Sequence, residues 1–181
     1  VVVLFGYRQK ALPALLRALA AEPTTLLVSP GPLQVETIRL QRQSKIGPAL
    51  SVVALPYLSQ IEFDHLLWSA DLAFVRGEDS VVRAIWAGVP FVWQLYPQAD
   101  AAHQAKLEAF LQQLLADAPA TLASRVAAIF RGWNDSRADA LDALRWPSPT
   151  AWRRQVLRWR ERLAAQDDLV TQLQRFAAAK R

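Results

Sequence analysis

The sequence predicts an α/β fold: a Rossmann-like, doubly wound parallel sheet followed by C-terminal helices. Three observations carry this. Five short apolar runs rich in Val, Leu and Phe do not alternate with polar residues, the pattern of strands covered on both faces. Helical patterns separate them, so strand and helix alternate. After the fifth run the strand signal ends and only helical patterns follow.

The expected strands are residues 1–5, 24–28, 50–55, 71–75 and 89–95. The helices between them fall at 11–21, 34–40, 62–70 and 80–87. Further helices are expected at 101–115, 120–133, 137–144 and 151–178, punctuated by Pro119, Asn134, Pro147 and Pro149. Residues 1–117 read as the nucleotide-binding core and 118–181 as a helical extension of the same domain. No internal repeat or low-complexity segment is found.

Composition bounds the function classes. With 181 residues and 52% hydrophobic content the chain can bury a substantial core, and disorder is not expected. No apolar run approaches the length of a membrane span. The start, VVVLFGYRQK, lacks the basic region of a signal peptide and reads as a strand. The absence of Cys removes disulfides and thiolate metal sites and fits a cytoplasmic protein. The absence of Met, even at position 1, suggests a piece of a longer chain. The net charge of +5 comes largely from arginines in the last third. They read either as solvated helix faces or as a surface that steers an acidic partner. Nucleic-acid binding has no motif or aromatic platform behind it.

In open α/β sheets, ligands sit outside the carboxyl ends of the strands. There the chain offers Gly6-Tyr7-Arg8-Gln9, Ser29-Pro30-Gly31-Pro32, Pro56-Tyr57-Leu58-Ser59-Gln60, Arg76-Gly77-Glu78-Asp79-Ser80 and Tyr96-Pro97-Gln98-Ala99-Asp100. Aromatic rings, amides and an arginine on one rim suit a nucleotide. In FVRGEDS, Gly77 permits a tight turn. Asp79 or Ser80 can cap a helix beginning near Val81. The free N–H groups of that helix and the Arg76 guanidinium can together hold a diphosphate without a metal. The plainer alternative makes Asp79 and Ser80 mere caps and pairs Arg76 with Glu78. Gln60 has a carboxamide that matches the donor and acceptor edge of thymine or uracil. Tyr57, Phe63, Phe5 or Tyr7 can stack on a base, or simply pack in the core. Gln98 and Asp100 can bind sugar hydroxyls, and Asp100 can equally cap the next helix. His65 and His103 have no metal-ligand company. Neither G-x-G-x-x-G nor a Walker loop is present.

Residues 56–111 resemble the C-terminal half of the protein-arginine rhamnosyltransferases that modify elongation factor P. The matching pieces are Pro56-Tyr57-Leu58-Ser59-Gln60, Phe63 with Trp68, Phe74 to Ser80, Trp86-Ala87-Gly88, Pro90-Phe91-Val92-Trp93, Tyr96-Pro97-Gln98, Ala102-His103 and Lys106-Leu107. Leu4-Phe5-Gly6-Tyr7 also looks like the start of that half. The resemblance implies two Rossmann-like halves facing a cleft, the glycosyltransferase-B arrangement, with the N-terminal acceptor-binding domain absent from this chain. It implies dTDP-β-L-rhamnose as donor, an arginine of elongation factor P as acceptor, inversion at the anomeric carbon, and no metal or cofactor. It places Phe5, Tyr7, Gln60 and Phe63 around the thymidine, with Arg76, Asp79, Ser80 and Tyr96 at the diphosphate. Glu78 would then stand beside the reacting centre as an assisting catalytic carboxylate. The catalytic aspartate of the family lies in the other half, so this piece alone is expected to be inactive. The alternatives are a UDP-dependent enzyme of the same architecture and a non-catalytic module with a basic binding surface.

Overall fold

The computed structural model describes residues 1–43, 45–98, 102–135 and 146–179. Five parallel strands form one sheet: β1 (Val2–Leu4), β2 (Thr24–Val28), β3 (Leu50–Ala54), β4 (Leu72–Arg76) and β5 (Phe91–Gln94). Their order is β3-β2-β1-β4-β5. The register pairs Leu4 with both Val28 and Phe74, and Arg76 with Gln94. The helices between the strands are α1 (Leu12–Leu19), α2 (Pro32–Arg42), α3 (Gln60–Ser69) and α4 (Gly77–Ala87). The chain moves outward from β1 to β3, then returns to build β4 on the other side of β1. Right-handed crossovers then put α1 and α2 on one face and α3 and α4 on the other. The contacts between α1 and α2, and between α3 and α4, agree with this.

The core is continuous from the sheet into the C-terminal helices. Val3, Leu4, Phe74, Val75, Phe91 and Val92 have no solvent exposure. β3 departs from the expectation of a doubly covered strand. It is an edge strand in which only Leu50 is buried. On the other side, α5 (Ala102–Leu115) and α6 (Ala120–Asn134) bring Phe110, Phe130 and Trp133 against the sheet. Trp133 meets Phe74 edge to face at 5.0 Å between ring centroids. Such ring pairs add about 0.5–1.5 kcal/mol beyond area burial.

The single long helix expected at 151–178 is two: α7 (Pro149–Ala164) and α8 (Leu169–Ala178). Asp168 caps the second by accepting from the Thr171 N–H at 3.0 Å. Helix α7 lies across the ends of three others. Arg153 donates to the Ala70 carbonyl behind α3 at 2.7 Å, and Arg160 to the Trp86 carbonyl in the last turn of α4 at 3.1 Å. Arg162 donates to the Gln113 carbonyl in the last turn of α5 at 3.1 Å. Helix C-termini carry orphan carbonyls and partial negative charge, so cations stabilise them. The expected helix at 137–144 lies outside the described residues.

Helix α4 ends at Gly88, which is left-handed at φ +68° and donates to the Ile85 carbonyl. A Cβ there would come 2.5 Å from Leu157 Cδ2 of α7. A left-handed backbone costs other residues about 1–2 kcal/mol. Gly88→Ala is therefore expected to lower unfolding stability by roughly 1–3 kcal/mol once repacking is included. Urea denaturation will show this as a lower midpoint at unchanged slope.

Candidate functional site

The strand order reverses between β1 and β4, and the crevice at this reversal is where open α/β sheets bind ligands. A cavity of about 360 Å³ opens there, within the range of small-ligand sites. Its lining comes from the segments after four strands. Phe5 follows β1, Ser29 and Gly31 follow β2, Tyr57, Gln60 and Phe63 follow β3, and Arg76, Asp79, Ser80 and Arg83 end β4 or begin α4.

The β4–α4 junction differs from the expected one in a useful way. The helix begins at Gly77, not near Val81, and Arg76 occupies the capping position. Neither Asp79 nor Ser80 caps it. Ser80 is buried and its Oγ donates back to the Arg76 carbonyl. Asp79 stands in the first turn and accepts from Arg83 Nε at 2.9 Å. Arg76 makes no side-chain capping bond there, so the amino end of α4 has no cap from that position. Gly77 is left-handed at φ +67°, as the tight turn requires.

Arg76 does not pair with Glu78. Its guanidinium reaches from β4 across to the segment after β1. Nη1 donates to the Gly6 carbonyl at 3.3 Å. Cζ stands 4.4 Å from the Phe5 ring centroid and 4.9 Å from that of Tyr7. Cation–π contact with both rings holds the charge at the cavity, and among the described residues no carboxylate pairs with it. Gly6, whose carbonyl accepts this bond, is closely packed. A Cβ on it would lie 2.6 Å from Leu33 and 2.7 Å from Gln94 Oε1. Buried Gln94 also accepts from the Tyr7 N–H at 2.8 Å, fixing the backbone that carries that ring.

The aromatic residues divide into two groups. Phe5 and Phe63 pack edge to face at 5.6 Å, so they make one wall of the cavity and not a sandwich. Tyr57 and Gln60 are exposed on the rim. Tyr7 and Tyr96 meet edge to face at 5.5 Å outside the lining, beyond Arg76. Ser59 and Glu62 form a reciprocal capping box that begins α3 and so places Gln60 and Phe63. Gln98 is exposed, and its N–H donates to His103 Nδ1 at 3.2 Å. His65 lies beside Trp68. Asp100 lies outside the described residues. Among the described residues, no three acidic or histidine side chains cluster as a metal ion requires.

Several side chains at the site had no assigned role in the sequence reading. Arg83 forks between helices, with Nη1 at 2.9 Å from both Asp64 oxygens on α3 and Nε on Asp79 of α4. Its spacing of four from Asp79 is a helical ion-pair signal, while Asp64 is brought to it only by packing. Gln94 and Ser29 gave no sequence signal beyond standing at or near a strand end.

Glu78 is exposed outside the cavity lining, on the first turn of α4. Lys106 of α5 donates to its Oε1 at 2.7 Å and also stands 5.2 Å from the Trp93 ring centroid. The Lys106 ammonium holds the Glu78 carboxyl below its usual range. Glu78 is therefore an anion at neutral pH, suited to attract a cation, and the Lys106 pairing makes it a weaker base than a free glutamate.

The chain resembles known proteins along nearly its whole length. Residues 1–178 match the model of the elongation factor P rhamnosyltransferase family, EarP. A protein-arginine rhamnosyltransferase of Pseudomonas aeruginosa is 38% identical over 98% of this chain and 50% of its own. One of Pseudomonas putida is 39% identical over 97% of this chain and 49% of its own. The chain thus spans about half the length of these curated relatives. A solved structure concerned with EarP-mediated arginine glycosylation of elongation factor EF-P superposes with a TM-score of 0.76 at 32% identity. It covers 98% of this chain and 60% of the solved one.

The Glu78–Lys106 pair has a definite pH signature. A carboxyl with a depressed folded pKa keeps its pairing above the ordinary glutamate pKa and loses it as pH falls through the folded value. Lys106→Ala is expected to move the Glu78 titration upward toward that of a free glutamate. Carboxyl-carbon NMR of both proteins across the acid range will measure the shift.

Proposed function

The chain belongs to the EarP family of elongation factor P rhamnosyltransferases, and we propose that it is the donor-binding half of such an enzyme. The donor is dTDP-β-L-rhamnose, and the acceptor is an arginine side chain of elongation factor P. An acceptor-binding half faces this one across a cleft in the glycosyltransferase-B arrangement. Because the acceptor is a translation factor, the reaction is placed in the cytoplasm. The observation that carries the reading is Arg76. It is a cation at the cavity with no carboxylate partner among the described residues, beside the amino end of α4, which its own side chain does not cap.

The diphosphate docks at the β4–α4 junction. Arg76 and the first N–H groups of α4 meet its charge, and the nucleoside extends along the Phe5–Phe63 wall toward Gln60. Asp79 is an anion, so its part at the diphosphate is through its backbone N–H, while its carboxylate orients Arg83. In the transfer a guanidine nitrogen of the acceptor attacks C1 of the sugar. A C–N bond forms as the C1–O bond breaks, and the bonding pair leaves on dTDP. Attack opposite the leaving group inverts the centre and yields an α-rhamnosyl arginine. Charge accumulates on the departing diphosphate, where Arg76 and the amides are already in place.

The acceptor is the harder half of the problem. A guanidinium stays protonated throughout the physiological range and is a weak nucleophile until oriented and relieved of a proton. Glu78, anionic and one helical residue from Gly77, assists an aspartate of the acceptor-binding half in that task. Transfer in this scheme needs that aspartate as well as Glu78. No metal is required in this scheme, because a guanidinium and a helix terminus neutralise the leaving group.

Arg76→Ala is expected to weaken dTDP binding at least tenfold, since a charged hydrogen bond contributes about 1.5–3 kcal/mol. Calorimetric titration of the chain and its variant will measure this. Equal affinities would remove the phosphate clamp. UDP outcompeting dTDP would reassign the site to another nucleotide-sugar enzyme of this architecture.

A further inference from the structure

Lys106, near the start of α5, reaches across to the first turn of α4. Its ammonium meets Glu78 Oε1 at 2.7 Å and stands 5.2 Å from the Trp93 ring centroid. Both members of the ion pair are exposed, Glu78 at 77% and Lys106 at 51%. Such a pair adds little to stability. Its interest is geometric, because several independent contacts converge on the place of Glu78.

Trp93 is their common support. It is buried on β5, next to β4. Its indole Nε1 donates to the Gly77 carbonyl at 2.9 Å, one residue before Glu78. Phe110 of α5 lies against its ring, 4.9 Å between centroids. Lys106 is one helical turn earlier on the same face of α5. One indole thus fixes both the turn that carries Glu78 and the helix that carries its partner. Cation–π attraction keeps the ammonium at the ring.

The other charged groups around α4 are engaged elsewhere. Asp79 and Asp64 of α3 hold Arg83. Arg76, at the end of β4, faces Phe5 and Tyr7. Arg160 of α7 lies at the opposite end of α4, on the Trp86 carbonyl. His103 of α5 accepts from the Gln98 N–H. The Tyr7 hydroxyl stands 3.5 Å from where a Cβ on Gly77 would lie. The first turn of a helix also favours an anion such as Glu78. A carboxylate has two oxygens to offer, and the ammonium takes Oε1. A planar guanidinium with five donors can bond the other.

We propose that Lys106 is a positioning residue: resting on Trp93, it orients Glu78 as a fixed anion that holds the acceptor guanidinium. Removal of the proton is then left to the aspartate of the acceptor-binding half. This rests on the reading of the chain as the donor-binding half of an arginine rhamnosyltransferase. A carboxylate already paired with a cation is a poor proton acceptor but still a good anchor for a second donor.

The test is transfer kinetics in the enzyme comprising both halves, with dTDP titration and carboxyl-carbon NMR of this chain. The variants are Lys106→Met, which keeps the stem and removes the charge, Lys106→Arg, Glu78→Gln, and Lys106→Met combined with Glu78→Gln. Lys106→Met is expected to lower kcat by about five- to twentyfold through misplacement of Glu78. Its dTDP affinity is expected to stay within about twofold, because no phosphate contact is lost. Lys106→Arg is expected to restore most of the rate. In the Glu78→Gln background, Lys106→Met is expected to cost less than about twofold more, since no anion is left to orient. The Glu78 carboxyl signal is expected to titrate at higher pH in Lys106→Met and to return toward its original place in Lys106→Arg. Unchanged kcat in Lys106→Met, an unmoved Glu78 signal, or an undiminished loss in the Glu78→Gln background would each overturn the proposal. So would a roughly tenfold loss of dTDP affinity in Lys106→Met, which would make Lys106 a phosphate ligand. All four leave the donor-half reading intact. Failure of the unaltered enzyme to glycosylate arginine would overturn both.

Discussion

Arg76 can serve the cavity only because the strand order reverses beside it. β1 and β4 are hydrogen-bonded neighbours, yet they are followed by helices on opposite faces. The residues after them separate and leave a crevice, across which a guanidinium on one strand reaches a carbonyl beyond the other. Gly6 lets the backbone lie close against Leu33 and Gln94, and Phe5 and Tyr7 hold the charge with π faces. A carboxylate in their place would have neutralised the cation before any ligand arrived. The rest of the site is arranged around this charge: a helix terminus on one side and an aromatic wall on the other.

The last third of the chain uses its charge inwardly. Arg153, Arg160 and Arg162 meet carbonyls at the ends of α3, α4 and α5, and Arg131 forms two contacts of 2.7 Å to Glu108 between α5 and α6. Arg158 holds Gln155, which itself donates to the Leu114 carbonyl. Three of these arginines thus serve as helix-terminus contacts, and two others hold side chains of the same domain.

Much of the fold was legible because its signals are local. Uninterrupted apolar runs marked the five strands, and alternation with helices implied parallel pairing. The strand ends pointed to the crevice, and the FVRGEDS segment to its cation. What escaped depended on packing between distant segments. Asp79 looked like a cap because its neighbours matched a capping pattern, but α4 starts earlier and Arg83 claims its carboxylate. The pairing of Glu78 with Lys106 spans 28 positions and has no local signature. The break at Asp167-Asp168 was overlooked because an apolar helical pattern resumes immediately after it. Phe5 and Phe63 were both placed at the ligand, but only the structure shows them packed against each other.

The Asp64–Arg83–Asp79 fork has a consequence for what fits. It splints α3, which carries Gln60 and Phe63, to α4, whose first turn faces Arg76. The two walls of the crevice are therefore tied side chain to side chain. A change at Arg83 would reach both of them at once, although that residue stands a full turn into its helix.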